Sequence, residues 1–403
     1  MEKMTDILKW LDGQKTAMVE LARKWSDINT HGSNPAGISQ LSKEITRSFS
    51  VFGEEVRPVE LPSYEMINEK GEAESFGVVP ALTLTKRPVA PKQVLFVCHM
   101  DTVHMPDGPF QTCQTMDEYT IKGPGITDAK GGIVVMLKAL EAVEQCAFRE
   151  KFGWKVIINT DEEIGSPSSG GMLMKEAAQF DLGLVFEPSL PNGDLVSQRK
   201  GSGNFTVVVK GKSAHAGRNP QEGRNAIEAL ALWITRVKDI FSNKDDFTVN
   251  VGKMHGGTAA NVVADFAMAH LNVRYNSPDM QTLFDREIDK ITGAVESERD
   301  VQIDIYGKFS APPKPFDKNT EGLFGLVKEC ARELQFDLNW TKSGGVCDGN
   351  RLAAAALPTI DTLGVQGGNI HSNDEYVLTD SFTQRAKLTA LFLSRWINKD
   401  KRL

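Results

Sequence analysis

Three short apolar runs in the first half of the chain each stop at an imidazole or a carboxylate, and this pattern constrains the fold more than any other feature. Residues 93–98 (QVLFVC) stop at His99, residues 155–160 (KVIINT) at Asp161, Glu162 and Glu163, and residues 182–186 (LGLVF) at Glu187. Runs this short and this rich in Val, Ile, Leu and Phe read as strands buried on both faces. Between the first two, residues 131–142 (GGIVVMLKALEA) are apolar almost all round, the pattern of a buried helix. Strands alternating with helices predict an α/β layer fold with a largely parallel sheet. Such sheets bind ligands beyond the carboxyl ends of their strands, which is where these polar residues fall.

The texture changes near Ser197. Residues 205–210, 247–251, 267–275 and 301–306 read as strands, and residues 225–240 and 280–298 as amphipathic helices. That strand-helix-strand-strand-helix-strand order fits a small open-faced α+β sandwich. The Pro-rich stretch 311–315 (APPKP) reads as a linker. Beyond it, residues 323–334 are predicted helical, 357–363 a strand and 380–397 a final helix. A chain of 403 residues has room for two or three domains at roughly 150 residues each. The predicted architecture is an α/β domain, with a mainly parallel mixed sheet flanked by helices, made of residues 1–197 and 312–403. An α+β sandwich, residues 198–311, interrupts it.

Composition narrows function by exclusion. A formal net charge of -7, with no basic stripe, argues against a nucleic-acid binder that works by neutralising phosphates. No run approaches the roughly 20 apolar residues that span a bilayer. The N-terminal stretch lacks the continuous apolar core of a signal peptide and instead shows helical spacing through Ile7, Leu8, Leu11, Met18 and Leu21, so a cytoplasmic location is expected. The 5 cysteines are scattered and form no C-x-x-C pair, which disfavours a disulfide framework or a thiolate metal site. A metal here would take His and carboxylate ligands.

The candidate ligands are individually ambiguous. In an extended segment Asp101 points the same way as His99, so its carboxylate can hold the far ring nitrogen of a metal-bound imidazole; a surface His beside a surface Asp has the same spelling. Asp128 lies in the turn-rich stretch GPGITDAKGG, either as a helix N-cap or as a carboxylate held rigidly enough to bridge cations. Asp161, Glu162 and Glu163 follow a core-type strand directly, where adjacent carboxylates are costly unless something neutralises them. Adjacent Glu residues also allow one to bind metal while its neighbour moves a proton. Glu187 and His371 each follow an apolar run. Taken together the set is all imidazole and carboxylate, which suits zinc or a similar divalent ion.

The ordered succession HMDTV, GITDAKGG, DEEIGS, FEPS, GKSAHAG, NVVADFAMAHLNVRY, SGGVCDGN and IHSNDEYV resembles the zinc metallopeptidase family of glutamate carboxypeptidase, aminoacylase, acetylornithine deacetylase and succinyl-diaminopimelate desuccinylase. The resemblance runs from about Leu21 to the C-terminal helix. It implies a catalytic domain with an inserted lid and dimerisation domain, hence a homodimer. It also implies two zinc ions per subunit, with cobalt or manganese as alternatives. Asp128 would bridge them, His99 and Glu187 would complete one, and Glu163 and His371 the other. Asp101 would orient His99, Glu162 would act as general base and acid in amide hydrolysis, and His215 would stabilise the oxyanion, reaching a partner subunit's site in dimeric relatives. The peptide bond after Asp128 would be cis.

Substrate contacts are implied for Asn261, Arg274, Arg199 and Gly345. The alternative for Arg274 is a strand-end salt bridge, and Arg199 reads equally as a solvated surface residue. The chain departs from the family at specificity positions: Asp194-Leu195 stands where glutamate-specific carboxypeptidases carry a Lys, and Val346-Cys347 replaces a hydroxyl-bearing pair of the desuccinylases. An Arg those carboxypeptidases use near the end of the insert is also missing, Lys308 and Lys314 being the nearest cations. Glu187, rather than Asp, leans toward carboxypeptidases and N-acyl-amino-acid deacylases. The alternatives are an aminopeptidase or dipeptidase of the same family, or a non-catalytic binding protein on its fold.

Overall fold

Strict alternation sends the two sides of the strand Lys92–His99 into two different cores. Val94, Phe96 and Cys98 enter the larger one, and Leu95 and Val97 the smaller one on the opposite face. The computed structural model describes residues 3–241, 244 and 246–399. This strand is central in a six-stranded sheet whose order is Arg57–Val59, Ala81–Lys86, Phe152–Asn159, Lys92–His99, Leu182–Val185, Thr359–Ile360. The last four strands are mutually parallel, Ala81–Lys86 runs antiparallel to them, and Arg57–Val59 pairs antiparallel with Ala81–Lys86. It is the predicted mixed sheet with a parallel centre.

Helices cover both faces. The buried helix Gly131–Glu144 packs with Met4–Asp12, Lys15–Ser26 and Asp380–Asn398 over the larger core. Helices Gly170–Ala177 and Asp348–Ala354 cover the smaller one through Leu173, Ala177 and Leu352. Each fully buried aliphatic or Phe side chain contributes about 1.5–3 kcal/mol, so the central strands hold their ends rigidly. Gly132 lets the buried helix approach that rim: a Cβ there would lie 2.0 Å from the carbonyl oxygen of Phe186, the residue before Glu187.

A second sheet runs antiparallel throughout in the order Phe247–Gly256, Phe266–Tyr275, Gly201–Lys210, Gln302–Ala311. Helices Ala226–Phe241 and Pro278–Arg299 bury one of its faces in a separate core. The order strand-helix-strand-strand-helix-strand is the one predicted. On the other face a hairpin, Tyr64–Ile67 with Ala73–Phe76, lays its turn against the sheet: Lys253 Nζ sits 2.8 Å from Glu69 Oε1, and His255 Nε2 2.9 Å from the Glu69 carbonyl.

Two local expectations are corrected. The Pro-rich stretch is no free linker: Lys314 is 1% exposed, pairs with Arg199 in a β-bridge and puts its Nζ 2.9 Å from Asp361 Oδ2. Proline spacing cannot reveal that a Lys between prolines has a buried partner 47 residues away. The predicted strand 357–363 shortens to Thr359–Ile360, because Thr362 takes φ 65° and turns the chain away from the sheet. Among the described residues, no helix is long and apolar enough to cross a membrane.

Candidate metal centre

The strand ends converge as their parallel register requires. His99 is the last residue of its strand and lies opposite Asn159, the last residue of the neighbouring one. Asp161, Glu162 and Glu163 follow that neighbour, and Glu187 follows the strand on the other side. Loops from elsewhere bring Asp128, just ahead of the buried helix, and His371. The Asp128–Ala129 peptide is cis, as the resemblance implies. His371 takes φ 62°, a left-handed conformation that non-glycine residues seldom hold unless their surroundings impose it.

Two ligand groups form around one carboxylate. His99 Nε2 lies 3.2 Å from Asp128 Oδ1 and 3.7 Å from Glu187 Oε2. His371 Nε2 lies 3.2 Å from Asp128 Oδ2 and 3.2 Å from Glu163 Oε2. In each triad the potential ligand atoms lie within 4.8 Å of one another. The two oxygens of Asp128 therefore face different triads. Glu163 Oε1 is buried without a hydrogen-bond partner, the condition of a group awaiting a cation. Donor chemistry, burial and this orphaned oxygen all fit a pair of divalent ions.

Burial beside like charges disfavours ionised carboxylates around both triads. Burial, then the charge of Asp128, pushes Glu163 up to about 7. Burial, then the charge of Glu187, raises Glu162 well above the carboxylate range. Hydrogen bonds that His371 donates to Asp128 and Glu163 hold it at about 11. His99 is raised as well, although burial opposes its charge, because Glu187, Asp101 and Asp128 surround it. Without metal, protons on the imidazoles do part of the neutralising.

The three adjacent carboxylates divide their work. Asp161 turns inward and accepts the backbone N–H groups of Ser168 and Ser169 at 2.8 and 3.0 Å. Glu163 joins the His371 triad, and Glu162 lines the cleft beside it. Asp101 Oδ2 accepts the Glu163 N–H at 2.9 Å. Its backbone carbonyl is 3.1 Å from His99 Nδ1 and its carboxylate oxygen Oδ1 3.5 Å, so the main chain makes the nearer contact with the imidazole.

The next tier of residues was not legible as such. Glu375, 1% exposed, accepts the backbone N–H groups of Gly125, Thr127 and Asp128 at 3.0, 2.8 and 3.0 Å and lies 2.8 Å from His104 Nε2. It holds the loop that presents Asp128. Asp348 takes Ser166 Oγ at 2.6 Å, Asn159 Nδ2 at 2.7 Å and Arg351 Nη1 at 3.1 Å, bracing the loop that carries Glu162 and Glu163. Both stand inside the sequence motifs, but a carboxylate that binds backbone amides has no spacing rule to announce it. Glu375→Ala strands three buried N–H donors and an imidazole, so a loss of about 3–5 kcal/mol in unfolding free energy is expected. Urea unfolding of the metal-free protein checks it; a loss under 1 kcal/mol would contradict the clamp (about one ordinary hydrogen bond).

A cleft of 290 Å³ opens over the triads and is lined by Asp128, Glu162, Glu163, Glu187 and His371, and also by Arg199 and Gly345. Arg199 is not a solvated surface residue. It is 7% exposed, with Nε 2.9 Å from Asp361 Oδ2, Nη2 3.2 Å from Oδ1, and Nη1 3.3 Å from the Gly345 carbonyl. Burial alone would raise Asp361, but Arg199 and Lys314 outweigh it and bring it to about 2. The structure does not bring His215, Asn261 or Arg274 to this cleft. His215 and Asn261 are exposed and adjacent in the second sheet's loops, where the Ala216 N–H donates to the Asn261 carbonyl at 3.0 Å. Arg274 is half-buried in the strand Phe266–Tyr275, with Nε 2.9 Å from Asn272 Oδ1 and Nη1 unpartnered.

Known proteins resemble the chain at both levels. The profile of peptidase family M20/M25/M40 matches residues 95–395. Carboxypeptidase G2 from Pseudomonas sp. (strain RS-16) is 28% identical over 313 residues, which span 74% of this chain and 72% of that protein. A solved tripeptidase from Staphylococcus aureus subsp. aureus mu50 superposes with a TM-score of 0.76 at 24% identity, covering 96% of this chain and 99% of that one. A dinuclear metal-binding M20 peptidase from Bacillus subtilis superposes at 0.65 and 14% identity, covering 94% and 98%. At these identities the structural likeness is one of fold.

Proposed function

The chain belongs to peptidase family M20/M25/M40, and from that premise we propose that it is a two-metal amide hydrolase of the carboxypeptidase or N-acyl-amino-acid deacylase type. The observation that carries the proposal is the division of Asp128 between two His-carboxylate triads, with Glu162 on the wall of the same cleft. His99, Asp128 and Glu187 would hold one divalent ion, and Asp128, Glu163 and His371 the other. We take zinc as the metal, on donor chemistry. Two such ions supply Lewis acidity, lowering the pKa of water from about 15.7 toward 7 and polarising a carbonyl oxygen.

The chain's own residues do the rest. Glu162 takes the proton from the attacking water and passes it to the nitrogen of the leaving amine as the C–N bond breaks. Burial, and then the charge of Glu187, raises its basicity, the direction that suits a general base. Asp101 positions His99 and, through the Glu163 N–H, the loop that carries the base. The tetrahedral oxyanion needs a donor opposite the water. We assign that part to His215, and the substrate's carboxylate to Asn261 and Arg274. Their distance from the cleft in one chain is consistent with delivery through the inserted sheet of a homodimer.

The test is a substrate panel on protein loaded with zinc, cobalt or manganese and quantified for bound metal. N-acyl amino acids and N-blocked peptides with free C-termini are expected to be cleaved, and dipeptides with free amines to be poor substrates. Turnover confined to free-amine substrates would reassign the enzyme as an aminopeptidase or dipeptidase. No turnover with full metal occupancy would leave a binding protein.

A further inference from the structure

Arg385 is a buried cation that the metal centre does not use. It sits in the second turn of the helix Asp380–Asn398, is 1% exposed, and leaves Nε and Nη1 without a hydrogen-bond partner among the described residues. Burial brings it down to about 10, so it stays charged at neutral pH. Asp194, the carboxylate whose field acts on it, spends its oxygens on the Asn339 N–H at 2.9 Å and on Asn192 Nδ2 at 2.8 Å. For stability alone an apolar side chain of similar volume would serve as well or better. What only the guanidinium makes is a grip on two points of one loop: Nη2 donates to Ser189 Oγ at 3.1 Å and to the Gly193 carbonyl. Between those points the turn Leu190 to Gly193 closes on itself, the Gly193 N–H donating to the Leu190 carbonyl at 2.7 Å. Gly193 holds φ 87°, and a Cβ there would lie 3.2 Å from Nη2, so the fit is close. The same helix face reaches the loop a second way. Ser381 Oγ accepts the Gln366 N–H at 3.0 Å, and Gln366 Nε2 donates to the Pro191 carbonyl at 2.8 Å. The gripped loop comes just after Glu187, and its Ser189, Leu190 and Pro191 line the cleft.

We propose that Arg385 is a positioning residue for the cleft: its guanidinium clips Ser189 to Gly193 and so fixes Leu190 and Pro191 as a rigid wall against which the substrate seats. Arg385 itself touches neither substrate nor metal. Its effect reaches the reaction through binding, because a wall left mobile must be ordered each time a substrate enters. Glu187 is held separately, its carbonyl accepting the Gly364 N–H at 2.8 Å, so the metal ligands stay in place when the clip is lost. The proposal rests on the amide-hydrolase reading of this cleft.

Arg385→Met removes the donors at similar volume. The zinc-loaded full chain is assayed with those N-acyl amino acids and dipeptides that the wild type cleaves. KM is expected to rise about tenfold or more, with kcat within about threefold and bound zinc unchanged. Amide hydrogen exchange, followed by NMR, reads the clip without turnover. The Leu190 and Gly193 N–H groups, bonded within the loop at 3.0 and 2.7 Å, should exchange faster in the variant, and the Gly364 N–H at its wild-type rate. A gain of about tenfold or more is expected for the loop amides. Arg385→Lys, which keeps one charged donor, should bring KM back toward the wild-type value. A lowered melting temperature with KM unchanged would make Arg385 a structural residue only and overturns the proposal, as does unchanged exchange in the loop or loss of zinc. A wild type that cleaves nothing, with the exchange difference present, fails the hydrolase reading and keeps the clip. If Arg385→Met does not fold, Ser189→Ala removes only the receiving hydroxyl. Faster loop exchange with a raised KM in that variant supports the clip, and no change in either overturns it.

Discussion

Glu162→Gln is expected to lower kcat by about 100- to 10,000-fold, the range that a positioned general base contributes, with KM little changed. Gln has the size of Glu and keeps the cleft wall intact, but it cannot take a proton from water. Bound metal should remain at the wild-type level, because the Glu162 carboxylate belongs to neither triad. Elemental analysis beside steady-state kinetics separates the alternatives. Retained turnover would remove Glu162 from the role of base, and lost metal would make it a ligand.

Asp128→Ala is expected to cost both metal ions at once. Its oxygens are 3.2 Å from His99 Nε2 and from His371 Nε2, so a single side chain serves two sites. Altering a partner one shell further out typically weakens metal binding about 10- to 100-fold, and losing the shared ligand should exceed that for each site. Glu187→Ala and Glu163→Ala are the controls, because each belongs to one triad only. Equilibrium dialysis with zinc should show Asp128→Ala losing both ions while each control keeps one. If Asp128→Ala lost only one, Asp128 would not be the bridge. In the metal-free protein the same change removes the charge that helps hold Glu163 at about 7, so Glu163 should then titrate lower.

Legibility followed how local each cause was. The strand Lys92–His99 and the buried helix Gly131–Glu144 were readable because alternation and all-round apolarity are properties of a short window. The inserted sheet was readable in order, though its strands run longer than the pattern showed: Phe247–Gly256 extends five residues past Val251, on mostly exposed positions where pairing with Phe266–Tyr275 replaces burial as the cause. Arg199 was the hardest case. Asp361, Lys314 and the Gly345 carbonyl, which bury and orient it, lie 162, 115 and 146 residues away in sequence, and nothing near Arg199 hints at them.

The sequence alone determined that His99, Glu162, Glu163 and Glu187 would collect at the ends of a parallel sheet, because strand length, burial pattern and chain direction place them there, whereas Asp128 and His371 arrive on loops. Only the tertiary structure decided which carboxylate does what. Among Asp161, Glu162 and Glu163, adjacent and alike in chemistry, one caps a turn, one lines the cleft and one joins His371. Backbone direction and the partners waiting at each position made that assignment. The same holds for Glu375, whose place beneath the Asp128 loop exists because three backbone amides point at it from a segment some 250 residues earlier.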